Sequence, residues 1–189
     1  MTRPLAVALT GGIAAGKSEA LQAFARHGAA VISSDALVHE LYRDDAELKA
    51  ALRERWGDEV FAGGEVDRAA IGRIVFADRG ELAWLEAELH PRVRAATVDW
   101  LARQTAEVAV AEIPLLFETG GESRFDKVVV VTAPTEVRAA RRDGFTDREA
   151  RLVPEEEKVR RADFAYVNDG TLSELDAFVA AVLGELTAP

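Results

Sequence analysis

The chain has 189 residues, no cysteine and a formal net charge of −10. Such a length makes one domain, or one domain with an insertion, and can bury a full core without staples. The missing cysteines exclude disulfides, thiolate nucleophiles and zinc–thiolate sites, and the acidity argues against nucleic acid or anionic lipid as partners. No apolar run approaches the roughly 20 residues needed to span a bilayer. The N-terminal residues lack the long apolar core of a secretion signal. A soluble cytoplasmic protein is expected.

Apolar runs alternate with helical patterns along the chain. Leu5 to Leu9 reads as a buried strand. Ala20, Leu21, Phe24 and Ala25 follow at helical spacing, and Ala29 to Ile32 reads as a second strand. Residues 35–105 read as helices only. Asp67 and Asp78 sit where helix N-caps would, and Pro91 suits a first helical turn. Phe117, Trp56, Phe61 and Phe76 read most simply as core aromatics. Val108 to Ile113 and Lys127 to Thr132 are the next strands; Val128 to Val131 is β-branched throughout, as for a strand buried on both faces. Residues 134–163 are polar and helical, Phe164 to Val167 is a last short strand, and Leu172, Leu175, Phe178, Val179, Val182, Leu183 and Leu186 stripe a final helix.

Strands alternating with helices predict a parallel sheet covered on both faces. The expected fold is α/β: a three-layer sandwich of the P-loop, nucleoside-monophosphate-kinase-like type, with a five-stranded parallel sheet. Residues 1–34 and 106–189 form its core domain, 35–105 a helical substrate-binding insertion, and 138–157 a lid.

The fold type rests on Gly11-Gly12-Ile13-Ala14-Ala15-Gly16-Lys17-Ser18, which fits G-x-x-x-x-G-K-S/T. Gly11 and Gly16 permit backbone shapes that a Cβ forbids. The loop amides then converge on phosphate at a helix N-terminus. Lys17 reaches the β- and γ-phosphates, and the Ser18 hydroxyl holds Mg²⁺. Only four lysines occur against nineteen arginines, and one of the four falls here. ATP and Mg²⁺ are therefore the expected cofactors.

The tetrapeptides N-K-x-D and D-x-x-G, with which GTPases read guanine and hold a switch, are both absent. A helical insertion with a late basic segment suits a small-molecule kinase, which must close over ATP to keep water out. Residues 138–161 carry eight of the 23 basic residues. Among them Arg138, Arg141 and Arg142 lie within about a helical turn of one another, and cations there would stabilise charge building on the transferring phosphoryl group. Asp35 follows the second strand, at the end of the sheet where such folds bind ligands. It could accept a substrate proton or cap the helix beginning at Ala36. Glu112 ends the Val108 run, where P-loop proteins often place an acid of the Mg²⁺ shell.

The sequence resembles the dephospho-CoA kinase family over nearly its whole length. Leu9 to Ser18 is similar to the family's L-T-G-G-I-G-S-G-K-S, and Val31-Ile32-Ser33-Ser34-Asp35 to its V-I-D-A-D. Leu89-His90-Pro91 resembles L-H-P, Pro114 to Glu118 resembles P-L-L-F-E, and the stretch from Ala162 to Gly170 resembles A-D-x-x-I-x-N-x-G. The resemblance implies a kinase acting on the ribose 3′-hydroxyl of dephospho-CoA, with Asp35 as catalytic base beside Lys17, Arg138 and Arg142. It implies nucleotide binding by residues 11–18, Glu19 and Asn168, and substrate binding by Asp35, His90, Arg94, Leu116 and Phe117. Dephospho-CoA and ATP are then the partners of a monomer or weak homo-oligomer.

The sequence departs from the family pattern in places. Ala14 and Ala15 replace the usual Gly-Ser, Glu19 the usual Thr, and Ser33 the first acid. The stretch between Val137 and Pro154 is several residues shorter than usual. The alternatives are another P-loop kinase of a nucleoside or metabolite, and a non-catalytic ATP-binding regulator.

Overall fold

A computed structural model describes residues 3–141 and 152–188. They divide into two compact units, one formed by Met1–Ser33 with Leu101–Pro189 and the other by Ser34–Trp100. The second cut thus falls at 100/101, where the sequence suggested 105/106.

The first unit is built on five parallel strands: β1 (Leu5–Gly11), β2 (Ala30–Ser33), β5 (Val108–Glu112), β6 (Lys127–Thr132) and β7 (Phe164–Val167). Their order is β2-β5-β1-β6-β7. β1 pairs with β5 from Leu5 opposite Val108 to Leu9 opposite Glu112, and with β6 from Val7 opposite Lys127 to Gly11 opposite Val131. Side chains alternate between faces. On one face Val7, Leu9, Val110, Val129 and Val131 pack with Leu21 and Phe24 of α1 (Lys17–Arg26) and with Leu175, Val179 and Val182 of α8 (Leu172–Leu186). On the other, Ala8, Val128 and Val130 pack with Leu116 and Phe117. The three-layer arrangement follows from this alternation. Asp126 stitches the N-terminus to the sheet: it accepts from both terminal nitrogens of Arg3 at 2.7 Å and from the Ala6 amide at 2.8 Å.

The second unit holds α2 (Ser34–Asp44), α3 (Ala46–Trp56), α4 (Arg68–Ala77) and most of α5 (Arg79–Ala102). Leu48, Leu52, Val60, Ile71, Val75 and Leu85 form its core. Trp56 meets Trp84 edge to face at 4.9 Å and donates from its ring nitrogen to Glu81 at 2.7 Å. Asp67 caps α4, accepting from the amides of Ala69 and Ala70, and Asp78 accepts from that of Gly80 at the start of α5.

The structure differs from the sequence reading in four ways here. Residues 61–66 form a short antiparallel hairpin, β3 (Phe61–Ala62) with β4 (Glu65–Val66), which its two-residue strands leave without a readable period. Pro91 lies inside α5 rather than starting a helix. Phe76 is exposed, not core. Asp35 is in the first turn of α2, which begins at Ser34, and so is not the residue preceding the helix.

Candidate active site around the phosphate loop

The strand β1 ends at Gly11 with a backbone φ of 144°, and a Cβ there would run into the carbonyl oxygen of Val131 on β6. Glycine is thus required where the chain leaves the sheet. The turn closes through the amide of Ala15, which donates to the Gly12 carbonyl at 3.3 Å. Ala14 adopts φ 59°, the left-handed region in which L-residues are disfavoured. That explains why glycine is usual at this position in the family pattern. Gly16, φ 102°, precedes the first residue of α1. The loop therefore delivers its amides to a helix N-terminus, which favours an anion.

Three basic side chains converge on this loop. Lys17 Nζ donates to the carbonyls of Gly11 at 3.3 Å and Gly12 at 2.9 Å, so its ammonium is drawn over the start of the loop. Arg138, on α6 (Thr135–Arg141), is 5% exposed, and its guanidinium lies beside Gly12. Arg141 donates to the carbonyls of Ala14 and Ala15, both at 3.3 Å, and to that of Asn168 at 3.4 Å. Asn168 follows β7 and is buried; its Nδ2 donates to the Ala15 carbonyl at 2.8 Å, and its amide donates to Thr132 at 2.8 Å. The loop is thus held from β7 and α6 as well as from its own helix.

One acid stands among these cations. Glu155 opens α7 (Glu155–Arg161), with Oε1 3.4 Å from Arg138 Nη1. Burial pushes its carboxyl above the ordinary value, while the charges of Arg138, Lys158 and Lys17 pull the other way. Glu118 holds the chain on either side of it, at Val153 and Lys158. Lys158, 1% exposed, pairs with Glu118 at 2.8 Å, and the same Glu118 oxygen accepts from the Val153 amide at 3.1 Å.

The structure brings the 11–18 loop, Lys17, Arg138 and Asn168 together, and Ser18 is exposed in the first turn of α1. Glu19, also in that turn, pairs with Arg26 at 3.3 Å. Arg142 lies outside the described residues. Leu116 and Phe117, which the family resemblance implies on the substrate side, are core side chains, as Phe117's aromatic character suggested: Leu116 is fully buried, and Phe117 is covered by the Arg161 guanidinium at 4.5 Å. In the second unit Asp35 is exposed at the start of α2, two residues beyond Ser33, while His90 is half-buried and Arg94 exposed one turn later on α5. Ser33 pairs in register with Glu112, the buried last residue of β5.

Sequence reasoning placed Arg141 in the basic cluster but did not single it out; its spacing of three from Arg138 puts both on one helix side. Glu155 was not singled out, and no local signal marks it among the three consecutive acids Glu155, Glu156 and Glu157.

Among the described residues no group of three His, Asp or Glu side chains could hold a metal ion by itself.

The family model described as dephospho-CoA kinase matches residues 5–174. A dephospho-CoA kinase of Mesorhizobium japonicum is 45% identical over 193 residues, 96% of each chain. A solved Thermus thermophilus structure is 37% identical with a TM-score of 0.79, covering 99% of this chain and all of that one. The dephospho-CoA kinase of Campylobacter jejuni is 26% identical with a TM-score of 0.71, covering 97% of both chains. With its parallel sheet and phosphate loop, the chain belongs to the dephospho-CoA kinase family.

Proposed function

We propose that the chain transfers the γ-phosphoryl group of ATP to the ribose 3′-hydroxyl of dephospho-CoA, giving CoA and ADP. The observation that carries phosphoryl transfer is the Gly11–Ser18 loop, with Lys17, Arg138 and Arg141 gathered on it. Family membership supports the acceptor.

Each residue has a role in this reading. The loop amides and Lys17 seat the β- and γ-phosphates. Arg138 and Arg141 stabilise the charge that develops on the equatorial oxygens. Asp35 orients the acceptor hydroxyl and accepts its proton as the oxygen attacks. His90 and Arg94, on one side of α5, receive the substrate, and Asn168 lies toward the nucleotide base. The Ser18 hydroxyl would hold Mg²⁺, with Glu112, the last residue of β5, as a candidate acid of its shell. When bound, Mg²⁺ would supply positive charge that offsets the charge of the transferring phosphoryl group. The reaction is cytoplasmic in this reading, and the catalyst is a monomer or weak homo-oligomer.

An acceptor panel with ATP and Mg²⁺ tests the proposal. ADP formation should require dephospho-CoA. Turnover with a different acceptor and none with dephospho-CoA would overturn the assignment. Tight ATP binding without any turnover would instead make the chain a regulator.

A further inference from the structure

We infer that the Glu155 carboxylate is a resident anion at the mouth of the phosphate loop, competing with the nucleotide's phosphates for Arg138 and Lys17. The inference rests on the ATP-binding reading and adds an element that weakens binding.

The position of the carboxylate carries it. Oε1 of Glu155 presses so closely on Gly12 that a Cβ there would run into it, and the same Cβ would stand 3.2 Å from Arg138 Nη1. Acid and guanidinium therefore meet over one glycine of the loop. Oε1 is buried and makes no hydrogen bond among the described residues; its ion pair with Arg138 is 3.4 Å long. A buried carboxylate oxygen without a donor is expensive. The charges that act on it are cations from three elements: Arg138 from α6, Lys17 from α1 and Lys158 from its own helix. Of these, Arg138 and Lys17 are the groups that an arriving phosphate would claim, while Lys158 stays on Glu118.

The carboxylate can leave without unpinning its helix. The helix root is held separately, by Lys158 on Glu118 at 2.8 Å and by the Val153 amide on the same carboxylate at 3.1 Å. Only the flexible Glu155 side chain has to rotate. A phosphate reaching Gly12 while the carboxylate remains meets like charge in a partly dry site. Displacing it thus costs part of the binding energy, and its return favours release of the spent nucleotide.

Calorimetric titration of the full chain with ATP, and separately with inorganic pyrophosphate, tests this. Glu155→Gln and Glu155→Ala should each bind both probes about tenfold more tightly than wild type. Two variants are used so that poor folding of one leaves the other to decide. Unchanged or weaker binding in a folded variant overturns the inference and makes Glu155 a support for Arg138. Failure of the ATP reading itself looks different: wild type would bind neither probe, and Lys17→Ala would change nothing.

Discussion

Asn168 donates from Nδ2 to the carbonyl oxygen of Ala15 at 2.8 Å, so the loop after the last strand holds the phosphate loop from outside. The amide group fills the space that a Cβ on Gly16 would need. It is also the chain's only asparagine. Asn168→Ala should leave a carbonyl without this donor, costing about 1–3 kcal/mol. Urea unfolding with and without ATP should show lower stability and a smaller gain on adding nucleotide.

Lys17 and Asp35 separate binding from chemistry. Asp35→Asn should lower kcat by about 10²–10⁴ while leaving ATP affinity unchanged, because only proton acceptance is removed. Lys17→Ala should lower kcat by about 10²–10³ through loss of charge on the phosphates. Steady-state kinetics beside equilibrium ATP binding reads both. An unchanged kcat in Asp35→Asn would leave the residue a helix-start acid only.

The Lys158–Glu118 pair is buried, at 1% and 13% side-chain exposure. Removing one partner strands the other charge, so Lys158→Met should cost about 3–5 kcal/mol by chemical denaturation. Adding Glu118→Gln should recover much of this loss. The neutral amide oxygen can still accept from the Val153 amide, and no unpaired charge remains.

Stability at low pH should depend on Asp126. The hydrogen bonds from Arg3, with those from the Ala6 amide, hold its carboxyl below the ordinary 3.8 despite some burial. A depressed folded value favours the folded state above 3.8 and loses that contribution as pH falls through the folded value. Thermal melts of wild type and Asp126→Asn should therefore differ most above about pH 5 and converge in acid. High salt should narrow the gap, since Arg3 is exposed.

The phosphate loop was legible because its requirements are local: glycines, a lysine and a hydroxyl lie within eight residues between a strand and a helix. The strands were legible because Val128 to Val131 has one reading in a sheet covered on both faces. What escaped depends on distant partners. Glu155 looks like its neighbours Glu156 and Glu157 until helix α7 sets it over Gly12, more than 140 positions away. Leu116 belongs to a family-like segment, yet the sheet face beside it decides that it packs inward. Pro91 carries a helix-start signal, but tertiary packing can carry a helix through a proline, so the signal gave the wrong boundary.

The cap of the last helix lies three residues from Asn168. Thr171 Oγ1 accepts from the Glu174 amide, and the Glu174 carboxylate accepts from the Thr171 amide at 2.6 Å. The turn that presents Asn168 to Ala15 is therefore anchored by the first turn of α8. Ligand bound at the phosphate loop and order in that first turn then share a free energy, and linkage works in both directions. Amide protons of residues 172–175 would exchange more slowly once nucleotide is bound. The start of the C-terminal helix becomes a reporter of occupancy at the loop.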